Sequence, residues 1–235
     1  MAIRKEKFHP GEYYHIYSRT VLKVPEFKDY GNAKKLAQTF LVANSTNSTK
    51  TFDYIRKNIN PPFQKIMDMV SKGDKLVNIL CYSIMPDHYH LLLEELREEG
   101  ITDFIRKCNT SIAKYINIKT DRSGALFESK FKSKHIDSNN YLLHLSVYIH
   151  LNPLDFLSGR EWRFNKMKNW ENEKNKLLNH PWSSIRFFLD KNYNDEIISG
   201  TEIITEQFKD KKDYEFYLKD WSMDSLEIIS DLVLD

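Results

Sequence analysis

Val77-Asn78-Ile79-Leu80-Cys81-Tyr82-Ser83-Ile84-Met85-Pro86-Asp87-His88-Tyr89-His90-Leu91-Leu92-Leu93-Glu94-Glu95 consists of two apolar runs broken by a Pro-Asp turn. Each run has the length and β-branched or aromatic content of a strand. Strands joined this tightly pair as antiparallel neighbours. Outward from this hairpin, Glu12-Tyr13-Tyr14-His15-Ile16-Tyr17-Ser18 reads as an earlier strand. Phe131-Lys132-Ser133-Lys134-His135-Ile136 alternates as a later one.

Helical spacing fills the intervals. Ala33, Leu36, Ala37, Phe40 and Leu41 mark a helix over 30–42, followed by a polar stretch from Asn44 to Thr51 that reads as a mobile loop or an insertion. A second helical pattern starts at Pro61 and stops at Lys72-Gly73-Asp74. Ile101, Phe104, Ile105, Cys108, Ile112, Tyr115 and Ile116 recur at intervals of three and four, the pattern of an amphipathic helix. Asp137 or Ser138 can cap a last helix that Asn152-Pro153 halts. Strand, helix, strand, strand, helix, strand, helix predicts an α+β fold, a ferredoxin-like antiparallel sheet with helices packed on one face. The expected division is a core over 1–155, with an insertion at about 44–62, and a partly helical C-terminal extension over 156–235, acidic after Asp190.

The 235 residues are 41% hydrophobic and 13% aromatic, enough for a real core, and 35 basic against 33 acidic residues give a net charge of only +2. Charge is informative locally. Between Ile101 and Ile136, Arg106, Lys107, Lys114, Lys119, Arg122, Lys130, Lys132 and Lys134 face only Asp103, Asp121 and Glu128, the pattern of a phosphate-binding surface or of a solvated helix face. Cys81 and Cys108 have no spacing suited to a metal or redox pair, and neither a signal peptide nor a membrane span is visible. A soluble, cytoplasmic protein is expected.

Two short patterns carry chemistry. In His88-Tyr89-His90 the imidazoles are two apart on a strand, so they share a face and can reach one ion. A third ligand must come from elsewhere, and the pattern equally suits partly buried strand histidines with ordinary hydrogen bonds. In Tyr148-Ile149-His150-Leu151-Asn152-Pro153, Tyr148 and Asn152 lie a turn apart on one helix side. They can serve as nucleophile and polar ligand, or as a core tyrosine and a helix cap. His150, two residues from Tyr148, points away.

Met85-Pro86-Asp87-His88-Tyr89-His90-Leu91-Leu92-Leu93 closely resembles the histidine-hydrophobic-histidine (HUH) strand of the single-tyrosine transposases. Leu126-Phe127-Glu128-Ser129-Lys130-Phe131-Lys132-Ser133, Tyr148-Ile149-His150-Leu151-Asn152-Pro153 and Pro181-Trp182-Ser183-Ser184 resemble, in order, the later landmarks of the REP-associated tyrosine transposases. The resemblance covers about Glu12 to Leu189. It implies His88 and His90 as metal ligands, Asn152 as the third ligand, Tyr148 as the nucleophile, and Mg²⁺ or Mn²⁺ as the cofactor. It also implies nicking and joining of hairpin-bearing single-stranded DNA through a 5′-phosphotyrosine, in a monomer or a homodimer. Arg106, Lys107, Lys114, Arg122, Lys130, Lys132 and Lys134 are the candidate DNA contacts, and Glu128 and His135 are supporting or structural groups. Three other readings remain: a minimal insertion-sequence transposase, a non-catalytic nucleic-acid-binding module on the same sheet, and a His-x-His hydrolase that activates water.

Overall fold

The computed structural model describes residues 7–163, 167 and 169–220. Four strands, β1 (Tyr13–Arg19), β2 (Val77–Ile84), β3 (His88–Glu95) and β4 (Lys132–Ile136), form one sheet in the order β2-β3-β1-β4, every neighbouring pair antiparallel. The β2–β3 hairpin turns over Met85-Pro86-Asp87, closed by Met85 N–H donating to the His88 carbonyl at 2.8 Å. The turn is also anchored from outside, because the Pro86 and Asp87 carbonyls accept from Phe27 and Thr20. A bulge between Ile79 and Cys81 shifts the β2 register by one residue.

Alternation on β3 sorts the side chains. Tyr89, Leu91 and Leu93 enter one core with helices α1 (Tyr30–Ala43) and α4 (Gly100–Lys119), while Leu92 enters a second core on the other face. Both faces are covered, which is why the strand reads as a nearly continuous apolar run. Asp29 caps α1 by accepting from Asn32 N–H. The buried Glu95 carboxylate accepts from Gly100 and Ile101 N–H at the start of α4, where the helix dipole favours an anion. A Cβ on Gly100 would collide with the Leu76 carbonyl oxygen, so only glycine lets the chain turn this close to the strand.

The α+β class and the antiparallel sheet are as expected, with a difference in layering. Helices α1 and α4 lie on one face; α5 (Asn139–Leu151), capped by Ser138, packs across the opposite face against β2, β3 and β4. Leu154, Trp162 and Trp170 share that second core, as do Leu177, Ile185, Phe188, Ile204, Tyr214 and Leu218. They come from the short helices that follow: α6 (Leu154–Leu157), α7 (Trp170–Asn179), α8 (Ile185–Leu189), α9 (Glu202–Thr205) and α10 (Lys211–Lys219), with a 3₁₀ turn at Arg160–Arg163. Of the acidic tail after Asp190, residues 221–235 lie outside the described residues. Among the described residues no helix is long and apolar enough to cross a membrane.

The expected loop from Asn44 to Thr51 is corrected. Helix α2 (Ser48–Lys57) begins inside it, and α3 (Phe63–Val70) follows. Its polar side chains serve buried backbone instead of solvent. Asn44 accepts from Leu76 and Val77 N–H and donates to the Val77 carbonyl, Ser45 donates to Val70, and Asn47 donates to Met69.

Candidate active site

The antiparallel register sets Tyr17 opposite His90, Arg19 opposite His88 and His15 opposite Leu92. Directly opposed residues share a face, so His15, Tyr17, Arg19, His88 and His90 project together onto the side that α5 covers. Each ligand candidate is oriented through its inner ring nitrogen. The Asp87 carboxylate lies 2.6 Å from His88 Nδ1 and 3.6 Å from Arg19 Nε, and His15 Nε2 lies 2.9 Å from His90 Nδ1. With His88 donating to Asp87 and His90 donating to His15, both outer Nε2 atoms carry lone pairs.

Burial favours the neutral ligand forms. It lowers His88 in spite of the Asp87 charge beside it. His90 is pushed well below the usual imidazole range by burial and then by the neighbouring His88 and His15. Burial takes His15 down to about 3 and drives the Tyr17 phenol up to about 12.

Helix α5 completes the site. The Tyr148 and His90 ring centroids are 5.7 Å apart, edge to face, and His88 lies 4.9 Å from His90. Asn152 follows Tyr148 by one turn, its N–H donating to the Tyr148 carbonyl at 2.9 Å. Tyr148 is fully enclosed, at 0% exposure. Trp162 packs 6.3 Å from its ring and the Arg163 guanidinium carbon sits 5.2 Å from the ring centre. Asp155 holds Arg163 through Nε at 3.0 Å and Nη2 at 2.7 Å, and also accepts from the Trp162 indole. Burial opposes the Arg163 charge, and the Asp155 carboxylate with the Tyr148 oxygen more than offsets it.

One property sets this cluster apart. The outer Nε2 atoms of His88 and His90, the hydroxyls of Tyr17 and Tyr148, both amide atoms of Asn152 and His15 Nδ1 are buried with no hydrogen-bond partner among the described residues. An unsatisfied buried polar group costs about 1–3 kcal/mol, so this concentration is what a polar guest would relieve. Two imidazole nitrogens and an amide oxygen suit a divalent cation that accepts both N and O donors. No group of three or more His, Cys, Asp or Glu is placed to hold a metal ion among the described residues, so further ligands would come from substrate or water.

The structure brings His88, His90 and Tyr148 together, with Asn152 on the same helix side. Lys132 and Lys134 pair with Tyr17 and His15, which puts them on the histidine face, and Lys132 Nζ lies 5.4 Å over the Tyr17 ring. Lys130 is exposed just ahead of β4. Arg106, Lys107 and Lys114 lie apart from this group, on α4 across the sheet, because that helix turns its apolar side to the first core. Arg106 pairs with Asp103, Lys107 reaches the Ser45 carbonyl, and Arg122 binds Glu26 and Asn117. His135 meets Glu12 on the far face of β4, and Glu128 is exposed. His150 points away as expected, held between Ser184 and the Tyr214 hydroxyl.

Sequence reasoning missed His15, Tyr17, Arg19, Asp155 and Arg163. The first three had a signal, since His15-x-Tyr17-x-Arg19 repeats the two-residue period of His88-x-His90.

Residues 42–152 match the family model of IS200-like transposases. The fold is similar to a solved structure of a REP-associated tyrosine transposase bound to a REP hairpin. The TM-score is 0.50 and the identity 10%, over 85% of this chain and 92% of that one. No curated protein matches the chain.

Proposed function

We propose, from the premise of an IS200-like transposase segment in the fold of a REP-associated tyrosine transposase, that this chain nicks and rejoins single-stranded DNA with Tyr148 as nucleophile. The observation that carries the reading is a set of buried unpartnered atoms: His88 Nε2, His90 Nε2 and the Tyr148 hydroxyl, on rings that pack together, and the Asn152 amide one helical turn from Tyr148. Such a set is costly in an empty site and suits a cation-bound phosphate. His88, His90 and Asn152 would hold Mg²⁺ or Mn²⁺, which when bound polarises a phosphate oxygen and offsets its charge.

The chain's own residues do the rest. Asp87 and His15 fix the two imidazoles from behind, in the orientation that leaves Nε2 free to ligate. Lys132 and Lys134 offer positive charge to DNA phosphates along β4. Tyr148 Oη attacks phosphorus, leaving a 5′-phosphotyrosine and a free 3′-hydroxyl, so the bond energy is kept for rejoining. A hairpin is the substrate class proposed here, because the similar solved transposase holds one.

The test incubates the purified chain with end-labelled hairpin-bearing single-stranded DNA and Mn²⁺, and follows a denaturation-resistant adduct. Adduct that vanishes on chelation and in Tyr148→Phe, while hairpin binding survives, is the expected result. Cleavage that persists in Tyr148→Phe would favour water activation, and metal-independent binding without cleavage would favour a binding module.

A further inference from the structure

Arg163 lies outside the segment matched to the IS200-like family and outside every motif visible in the sequence, yet it is packed against the proposed nucleophile. An arginine at 4% exposure gives up hydration and side-chain freedom, which a fold sustains only with compensation. Here the compensation is built on purpose-like geometry: Asp155 engages Nε and Nη2, and the Trp162 indole fixes the carboxylate in turn. The fork is therefore held at one place, over Tyr148, before any substrate arrives.

Among the other described side chains of the site, Arg19 is turned toward Asp87 and Lys132 lies over Tyr17, whereas the Arg163 guanidinium is packed on the Tyr148 ring. We propose that Arg163 is a catalytic residue, its guanidinium stabilising the negative charge that develops on the Tyr148 oxygen and the attacked phosphate. The inference rests on the reading of Tyr148 as nucleophile. As the Oη–P bond forms and the P–O3′ bond breaks, the phenolic proton passes to water and the departing 3′-oxygen takes one up. Charge on the five-coordinate phosphorus peaks between these events. A preorganised donor acts most strongly there, and removal of one such donor costs roughly 100- to 1,000-fold in rate.

The test is single-turnover adduct formation by the full chain on labelled hairpin DNA with Mn²⁺, with hairpin affinity measured in parallel. Arg163→Gln is expected to slow adduct formation by roughly 100- to 1,000-fold with hairpin affinity unchanged. Because it strands Asp155, the paired variant Asp155→Asn with Arg163→Gln removes both charges and should show the same defect in a folded chain. Methylguanidinium added to Arg163→Ala is expected to restore part of the rate, which a merely structural role would not allow. Wild-type rates in both glutamine variants, or rates lost only in step with hairpin affinity, would overturn the inference and leave Tyr148 as nucleophile intact. No adduct from the unaltered chain would overturn both.

Discussion

His15 reaches the proposed metal site only through His90, so its contribution is positional and separable. Replacing it with alanine removes the partner of His90 Nδ1 and frees the ring to rotate or change tautomer. His15→Ala is expected to weaken Mn²⁺ binding by roughly 10- to 100-fold, read by isothermal titration. Asp87→Asn should act likewise through His88. Undiminished affinity in both would remove the positioning role. Histidine also sets the pH response of stability. Burial holds His150 at about 3 and His180 at about 4, against an ordinary 6.5. Because the folded values are lowered, the unfolded chain takes up protons first as pH falls. Stability from these groups is thus complete above about 6.5 and declines as pH drops toward 4 and 3. Urea midpoints of the metal-free chain should fall steadily from pH 7 to pH 4.5, and a flat profile would contradict it.

At the scale of elements, the segment Pro181 to Ser184 is tied along the free edge of β2. Ile84 N–H donates to the Trp182 carbonyl, Ser184 N–H donates to the Tyr82 carbonyl, and the Ser184 hydroxyl accepts from Tyr82 N–H while bonding His150. Ser184→Ala strands both partners and should destabilise the chain by about 1–3 kcal/mol, measured as a shift in urea midpoint. The hairpin of β2 and β3 was legible because two apolar runs of strand length and a proline turn between them are local signals. That His88 and His90 share one face was legible from their spacing of two on a strand. Helix α2 was not, because Asn44, Ser45 and Asn47 look like solvent-facing residues until their backbone partners some 22 to 33 positions away are known. Arg163 was illegible for a related reason. It stands in a short 3₁₀ turn without periodicity, and its significance comes from α5 and Asp155 folding toward it.

Across the whole molecule, the second core joins the sheet to the chain after Pro153. Leu80, Cys81 and Leu92 are buried with α5 in the same cluster as Leu177, Phe188, Tyr214 and Leu218. A chain ended after Pro153 should therefore expose that face, bind a hydrophobic dye and lose its cooperative melt. A sharp transition in the shortened chain would show that the later helices are dispensable. The same enclosure that stabilises the fold also withholds Tyr148, whose surface is entirely covered. With Tyr148 as the proposed nucleophile, a strand that drifts past would meet no reactive oxygen, and reaction would wait for a unimolecular uncovering event. The observed rate should accordingly reach a plateau as hairpin concentration rises.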